Sequence, residues 1–165
     1  MNQKNIYKFL FSALFVFAIT PAFSQFSAGL NLGLPSRTWS SYESVGFGID
    51  VRYEAPIQDK LNWTASAGFL SFAGKSYGGG NYNSITAIPV IGGVKYYFQE
   101  SNAGFYGAGD IGLVFLSSSG GSENRFVFSP GVGYRLEKFD FSFRYNAMSD
   151  FNYVGLRAAY IFPSK

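Results

Sequence analysis

Asp50 and Glu54, four residues apart with Arg52 between them, are the arrangement in this chain closest to catalytic machinery. On a strand, residues two and four apart share a face, so such a carboxylate pair could serve as general acid and base. The chain contains no histidine and no cysteine. Triad-type hydrolysis or acyl transfer would lack its usual proton carrier, and disulfides and thiolate metal sites are excluded. Ion pairing of Asp50 and Glu54 with Arg52 and other basic neighbours is the simpler reading. The expectation is a non-enzyme, with no catalytic residue, cofactor or metal ligand assigned.

Two other motifs lose their meaning in context. Gly107-Ala108-Gly109-Asp110-Ile111-Gly112 fits the dinucleotide pattern GxGxxG, which needs a helix after it to receive the phosphates. Here Leu113-Val114-Phe115-Leu116 continues as strand. Asn62-Trp63-Thr64 is formally a glycosylation sequon, but it falls inside a predicted strand.

The element that carries the carboxylates is Val45–Glu54, in which Val45, Phe47, Ile49, Val51 and Tyr53 alternate with Gly46, Gly48, Asp50, Arg52 and Glu54. This period of two is that of a strand with one apolar and one polar face. The alternation recurs seven more times. Gln25–Leu34 places Phe26, Ala28, Leu30, Leu32 and Leu34 against Ser27, Gly29, Asn31 and Gly33. Leu61–Leu70, Thr86–Phe98, Phe105–Phe115, Phe126–Leu136, Phe139–Asn146 and Tyr153–Phe162 follow. Pro35–Ser44, Ser71–Ile85, Leu116–Arg125 and Ala147–Asn152 are predicted loops, and the intervening turns at Gln58–Lys60, Glu100–Ala103 and Glu137–Lys138 are tight. Long and short connections therefore alternate, as they do in transmembrane barrels with an even strand count.

Residues 1–24 read differently. Lys4 and Lys8 precede the apolar run Phe9–Thr20, and Ala22-Phe23-Ser24 offers small residues before a cut near Ser24. This is the pattern of a secretory signal peptide, leaving 25–165 as one barrel domain. Without the two lysines, 13 basic residues become 11 against 10 acidic. The net charge falls to +1, so the basic balance carries no implication of nucleic-acid binding.

Charged residues make up 14% of the chain and aromatics 20%, whereas soluble domains carry roughly 25% charge. A soluble lipocalin-like calyx would also have eight strands, but its exterior should carry many more charges. If the first strand runs outward, Tyr53, Trp63, Tyr96, Phe98, Phe105, Tyr134, Phe139, Tyr160 and Phe162 gather at one rim. Phe47, Phe69, Phe115, Phe126, Phe143 and Tyr145 lie towards the other. Two aromatic girdles are the signature of a lipid-facing barrel. The predicted fold is all-β, an eight-stranded antiparallel transmembrane up-and-down barrel.

Residues 25–162 resemble the outer-membrane β-barrel (porin-family) domain of the OmpA/OmpX-type small barrels. The likeness rests on IPVIGGVKYYF at Ile88–Phe98, FYGAGDIGL at Phe105–Leu113, FSPGVGYRL at Phe128–Leu136 and FSFRYN at Phe141–Asn146. Gly155, Ala158, Tyr160 and Phe162 in the last strand are similar to the signal read by the outer-membrane assembly machinery. Ala158 departs from the usual aromatic, and Pro163-Ser164-Lys165 follow the final Phe. The resemblance implies an outer-membrane location in a Gram-negative-type cell, with outer-membrane lipid and the assembly machinery, through Tyr153–Phe162, as partners. A monomer is expected. The resemblance implies no single activity.

An eight-stranded barrel is just wide enough inside for its own side chains. The inward face is predicted to hold Asp50, Glu54, Asp110 and Asp140 with Arg52, Lys95, Arg135, Arg144 and Arg157. Buried charges need partners, so these residues should form an ion-pair network with Asp140 as its hub, opposite Arg135 across the Glu137-Lys138 turn. Such a lumen would be plugged; a narrow porin-like channel is the alternative. Arg37, Trp39, Tyr42, Tyr77 and Tyr82 in the longest loops are candidates for surface contacts, with packing at lipid headgroups as their other use.

Overall fold

The computed structural model describes residues 24–36, 43–74, 76–77, 80–81, 84–99, 102–118, 121–149 and 152–163. The strands are β1 (Gln25–Pro35), β2 (Glu43–Gln58), β3 (Leu61–Gly74), β4 (Ser76–Tyr77), β5 (Gly80–Asn81), β6 (Ile85–Tyr97), β7 (Gly104–Ser118), β8 (Gly121–Arg135), β9 (Phe139–Asn146) and β10 (Tyr153–Ile161). Eight of them close into a barrel in the order β1-β10-β9-β8-β7-β6-β3-β2, and β4 pairs with β5 in a separate two-residue hairpin. Every barrel neighbour is antiparallel. Closure runs through Ser27–Pro35 against Tyr153–Ile161, so no backbone edge is left unpaired at the seam.

Alternation decides which side chains point where, and the sheet curls so that the polar face is inside. Leu30 is 69% exposed and Phe47 65%, while Lys95 and Asp110 are 1% exposed and Asp140 2%. A calyx would have the reverse polarity. The expected outward and inward sets hold in all eight strands, from Phe26, Leu30 and Leu32 outside in β1 to Leu156 and Tyr160 outside and Arg157 inside in β10.

Both ends of the chain's barrel, near Gln25 and Ile161, lie at one rim with the turns at Asp59-Lys60 and Leu136–Lys138 and with the end of β6 at Tyr97 and the start of β7 at Gly104. Aromatic rings meet along this turn rim: Phe26 with Tyr53 at 5.0 Å, Tyr53 with Trp63 at 5.2 Å, Phe105 with Tyr134 at 4.7 Å and Tyr160 with Phe162 at 5.5 Å between centroids. Lys60 takes φ 66° in the β2–β3 turn, and its carbonyl accepts from the Tyr97 amide at 2.7 Å.

At the opposite, loop rim the strands run further than alternation predicts. β3 continues through Phe72 to Gly74, where Ser71–Ile85 was expected to be loop. β7 and β8 extend to Ser118 and Gly121, where Leu116–Arg125 was expected to be loop; Leu116 pairs with Glu123 and Ser117 with Ser122. The cause is a change of interior chemistry. Leu70, Phe72, Ala87, Val114, Leu116, Val127, Met148 and Tyr153 form a buried apolar cluster inside this end, so the polar beat of β3 disappears there; beyond Leu116 the added residues of β7 and β8, Ser117, Ser118 and residues 121–125, are polar or glycine on both faces and lie mostly exposed. Fifteen residues in each of β7 and β8, at ~3.3 Å apiece, make ~50 Å of strand. The eight residues of β9 make ~26 Å. The wall is therefore uneven: β8 runs well past the end of β9, while β7 stays paired with β6 up to Ser117.

Phe72 fits because two strands carry glycine beside it. A Cβ on Gly46 would lie 2.6 Å from its ring, and one on Gly33 2.8 Å. Phe72 also meets Tyr153 edge-on at 5.4 Å. Beneath the loop between β9 and β10, the Met148 amide donates to Asn152 Oδ1 at 2.8 Å, and the Ser36 amide to the Asn152 carbonyl at 2.9 Å.

Candidate functional site: the charged lumen and the loop rim

Alternate residues of neighbouring strands project the charged side chains into the turn-rim half of the barrel. All nine residues of the anticipated network lie in the lumen: eight are buried, and the Asp50 carboxylate is 11% exposed. They form two connected groups.

The first group runs across the barrel. Glu54 Oε1 accepts from Tyr97 Oη at 2.6 Å, Asn62 Nδ2 at 2.7 Å and Arg135 Nη1 at 3.2 Å. Lys95 Nζ donates to Glu54 Oε2 at 2.9 Å and to Asp140 Oδ2 at 2.7 Å, bridging the two carboxylates. Asp140 Oδ1 accepts from Tyr106 Oη at 2.8 Å and lies 3.5 Å from Arg157 Nη1. Arg157 in turn donates from Nε to both Asp50 oxygens at 2.9 Å and from Nη2 to Ser27 Oγ at 3.1 Å. Asn31 completes the Asp50 shell at 2.8 Å. The chain of partners thus reads Arg135, Glu54, Lys95, Asp140, Arg157, Asp50.

The second group is centred on Asp110, which accepts from Thr64 Oγ1 at 3.0 Å and from Arg144 Nη1. Arg52 Nη2 stands 4.0 Å from the same carboxylate. Arg52 is thus directed to Asp110, whereas Asp50 and Glu54 bond to Arg157 and Lys95. The register sets Arg135 opposite Asp140 as expected, but their side chains pair elsewhere: Arg135 turns to Glu54 and also bonds Gln25. Lys95, with an ammonium that can serve two acceptors, takes the central place between the carboxylates. It also sits 4.3 Å from the centre of the Tyr106 ring, a cation–π distance.

Tyr97, Asn62, Thr64 and Gln25 were not anticipated as partners. Tyr97 follows Lys95 by two in the run Lys95-Tyr96-Tyr97-Phe98, so its parity already places it inside. Its phenol is the signal that could have been read. Tyr106 reaches Asp140 over Gly133, where a Cβ would lie 2.3 Å from the phenol oxygen.

Between the ionic half and the apolar cluster a cavity of about 60 Å³ remains, lined by Asn31, Asp50, Arg52, Arg144, Asn146 and Arg157 on its polar side. Among the described residues, no cluster of three or more potential metal-ligating acids is present, and no helix is long and apolar enough to cross a membrane, a criterion that does not bear on a β-barrel. Of the loop candidates, Arg37, Trp39, Tyr42 and Tyr82 lie outside the described residues, as does the expected signal peptide up to residue 23. Tyr77 is described through its backbone, which pairs with Gly80.

No protein-family model matches the chain, and no curated protein matches it in sequence. Solved structures do. Neisserial surface protein A superposes with a TM-score of 0.60 at 15% identity, over 84% of this chain and 95% of that one. Ail, the attachment invasion locus protein of Yersinia pestis, gives 0.55 at 16% identity, over 84% and 97%. The outer membrane protein OprG of Pseudomonas aeruginosa gives 0.51 at 13% identity, over 87% and 97%. At these identities the likeness concerns the fold: the chain is a closed eight-stranded antiparallel barrel, the fold it shares with these small outer-membrane proteins.

Proposed function

We propose that this chain is a non-enzymatic integral outer-membrane protein whose lumen is closed and whose loop rim is available for structural or surface contacts. The observation that carries the reading is the inverted polarity: Leu30, Phe47, Ile49, Phe105 and Phe126 are exposed while eight ionisable side chains are buried. In water such an exterior would aggregate; in hydrocarbon it is the favourable surface, and closure satisfies the backbone. The ion pairs in the turn-rim half and the apolar cluster in the loop-rim half support a lumen closed to water flow in a barrel of this width. Residues 1–24 act as the exported leader, cut near Ser24. Tyr153–Phe162 is the segment presented to the assembly machinery, and the barrel works as a monomer among outer-membrane lipids.

The mature chain should therefore need detergent to remain in solution, and the folded form should migrate differently from the boiled form on a gel. A mature chain that stays soluble and folded without detergent overturns the membrane reading and restores the calyx. Shortening the Gly74–Asn83 segment should leave folding intact while abolishing a surface-dependent phenotype of intact cells. If every such phenotype survives, the contact role assigned to that loop fails.

A further inference from the structure

Most of the lumen's charges are matched, and the mismatch is localised. Five cations (Arg52, Lys95, Arg135, Arg144, Arg157) face four carboxylates (Asp50, Glu54, Asp110, Asp140), which leaves one positive charge in excess inside a closed barrel. Three of the five cations line the 60 Å³ cavity. They are also the three that keep unused donors: Nε and Nη1 of Arg52, Nε and Nη2 of Arg144, and Nη1 of Arg157 are buried with no hydrogen-bond acceptor among the described residues. Each of these side chains is at least nine-tenths buried. Arg157 Nη1 does lie 3.5 Å from Asp140 Oδ1, as an ion pair without hydrogen-bond geometry.

An isolated buried charge is too costly to leave uncompensated, and buried N–H groups need acceptors. Water in the cavity could accept from some of these donors, but it would not cancel the charge. On the scale by which the cavity measures about 60 Å³, about 10–15 Å³ holds one water, so it has room for a monatomic anion together with water. A divalent anion would overshoot the balance. Asp50, the carboxylate on the cavity wall, is already committed to Arg157 and Asn31. We infer that the lumen contains a binding site for one small monovalent anion such as a halide, held by the guanidinium groups of Arg52, Arg144 and Arg157 between the ion-pair network and the apolar cluster.

The site is a property of the barrel interior and stands whether or not the loops have a partner. The test is to refold the protein in detergent micelles in sodium methanesulfonate and replace that salt stepwise by sodium chloride at constant ionic strength. The ratio of folded to unfolded protein at fixed urea should rise in proportion to chloride once chloride exceeds its dissociation constant, by about 100-fold at about 100 times that constant. Arg52→Gln leaves four cations against four carboxylates and should abolish the chloride response. A wild-type barrel indifferent to chloride, or an Arg52→Gln barrel that responds as the wild type does, overturns the proposal. Should Arg52→Gln fail to fold, crystals of the unaltered protein grown in sodium bromide decide the matter. An anomalous peak among Arg52, Arg144 and Arg157 supports the site, and density without an anomalous signal there refutes it.

Discussion

The two halves of the lumen solve the same packing problem with opposite chemistry. Towards the turn rim the interior is Glu54, Lys95, Asp140, Arg135 and their tyrosine and asparagine partners, each held by directional bonds. Towards the loop rim it is Leu70, Phe72, Val114, Val127, Met148 and Tyr153, held by shape. The same strands pass through both halves, so the backbone does not impose the difference. The residues at inward positions do. The ionic half should fail abruptly when one partner is removed, because the other is left charged and buried. The apolar half should lose stability in proportion to the volume removed.

Lys95→Met is the sharpest challenge to the ionic half, since it takes the bridging cation from Glu54 and Asp140 together. Unfolding in urea should show a loss of about 3–5 kcal/mol. Adding Asp140→Asn should cost less than the sum of the two single changes, because the two residues share one interaction. Full additivity would mean that the bridge at 2.7 Å contributes nothing as a pair.

Phe72→Ala probes the other half and should cost about 3 kcal/mol, with Phe72→Leu costing distinctly less. Phe72 belongs to the apolar cluster and Asp140 to the ion-pair network, so their effects should add within about 0.5 kcal/mol; a larger coupling would deny that the halves are separate. Smaller again is Gly46→Ala, which drives a methyl group into the Phe72 ring and should cost about 1–3 kcal/mol. That cost should largely disappear in a Phe72→Leu background if ring contact is the cause. Smallest is removal of the β4–β5 hairpin, which lies outside both halves and should change stability by less than about 0.5 kcal/mol.

The contrast also explains what could be read in advance. Where inward residues are polar, as in Asp50-Val51-Arg52-Tyr53-Glu54 or Phe139-Asp140-Phe141-Ser142, period-two alternation specifies face, register and the identity of the buried charges. Where the interior turns apolar, as in Phe69-Leu70, Val114-Phe115-Leu116 and Phe126-Val127-Phe128, both faces look alike and the alternation stops. The extension of β3 is illegible for that reason, and those of β7 and β8 because Ser117, Ser118 and residues 121–125 carry no apolar beat at all. The glycines that admit Phe72 were visible only as small inward residues, since the ring they face comes from another strand. Individual ion-pair partners were also beyond reach: register puts Arg135 beside Asp140, but long side chains choose among several acceptors within the lumen. The cavity among Arg52, Arg144 and Arg157 depends on three strands converging and has no local signature.

The central claim is that the two fillings together close the barrel. Purified, refolded protein incorporated into a planar lipid bilayer measures this directly. The closed lumen predicts little steady conductance from the unaltered chain, with leakage appearing when Asp140→Asn loosens the ionic half. A large, ohmic and stable conductance from the unaltered protein would contradict the account and make the barrel a narrow channel.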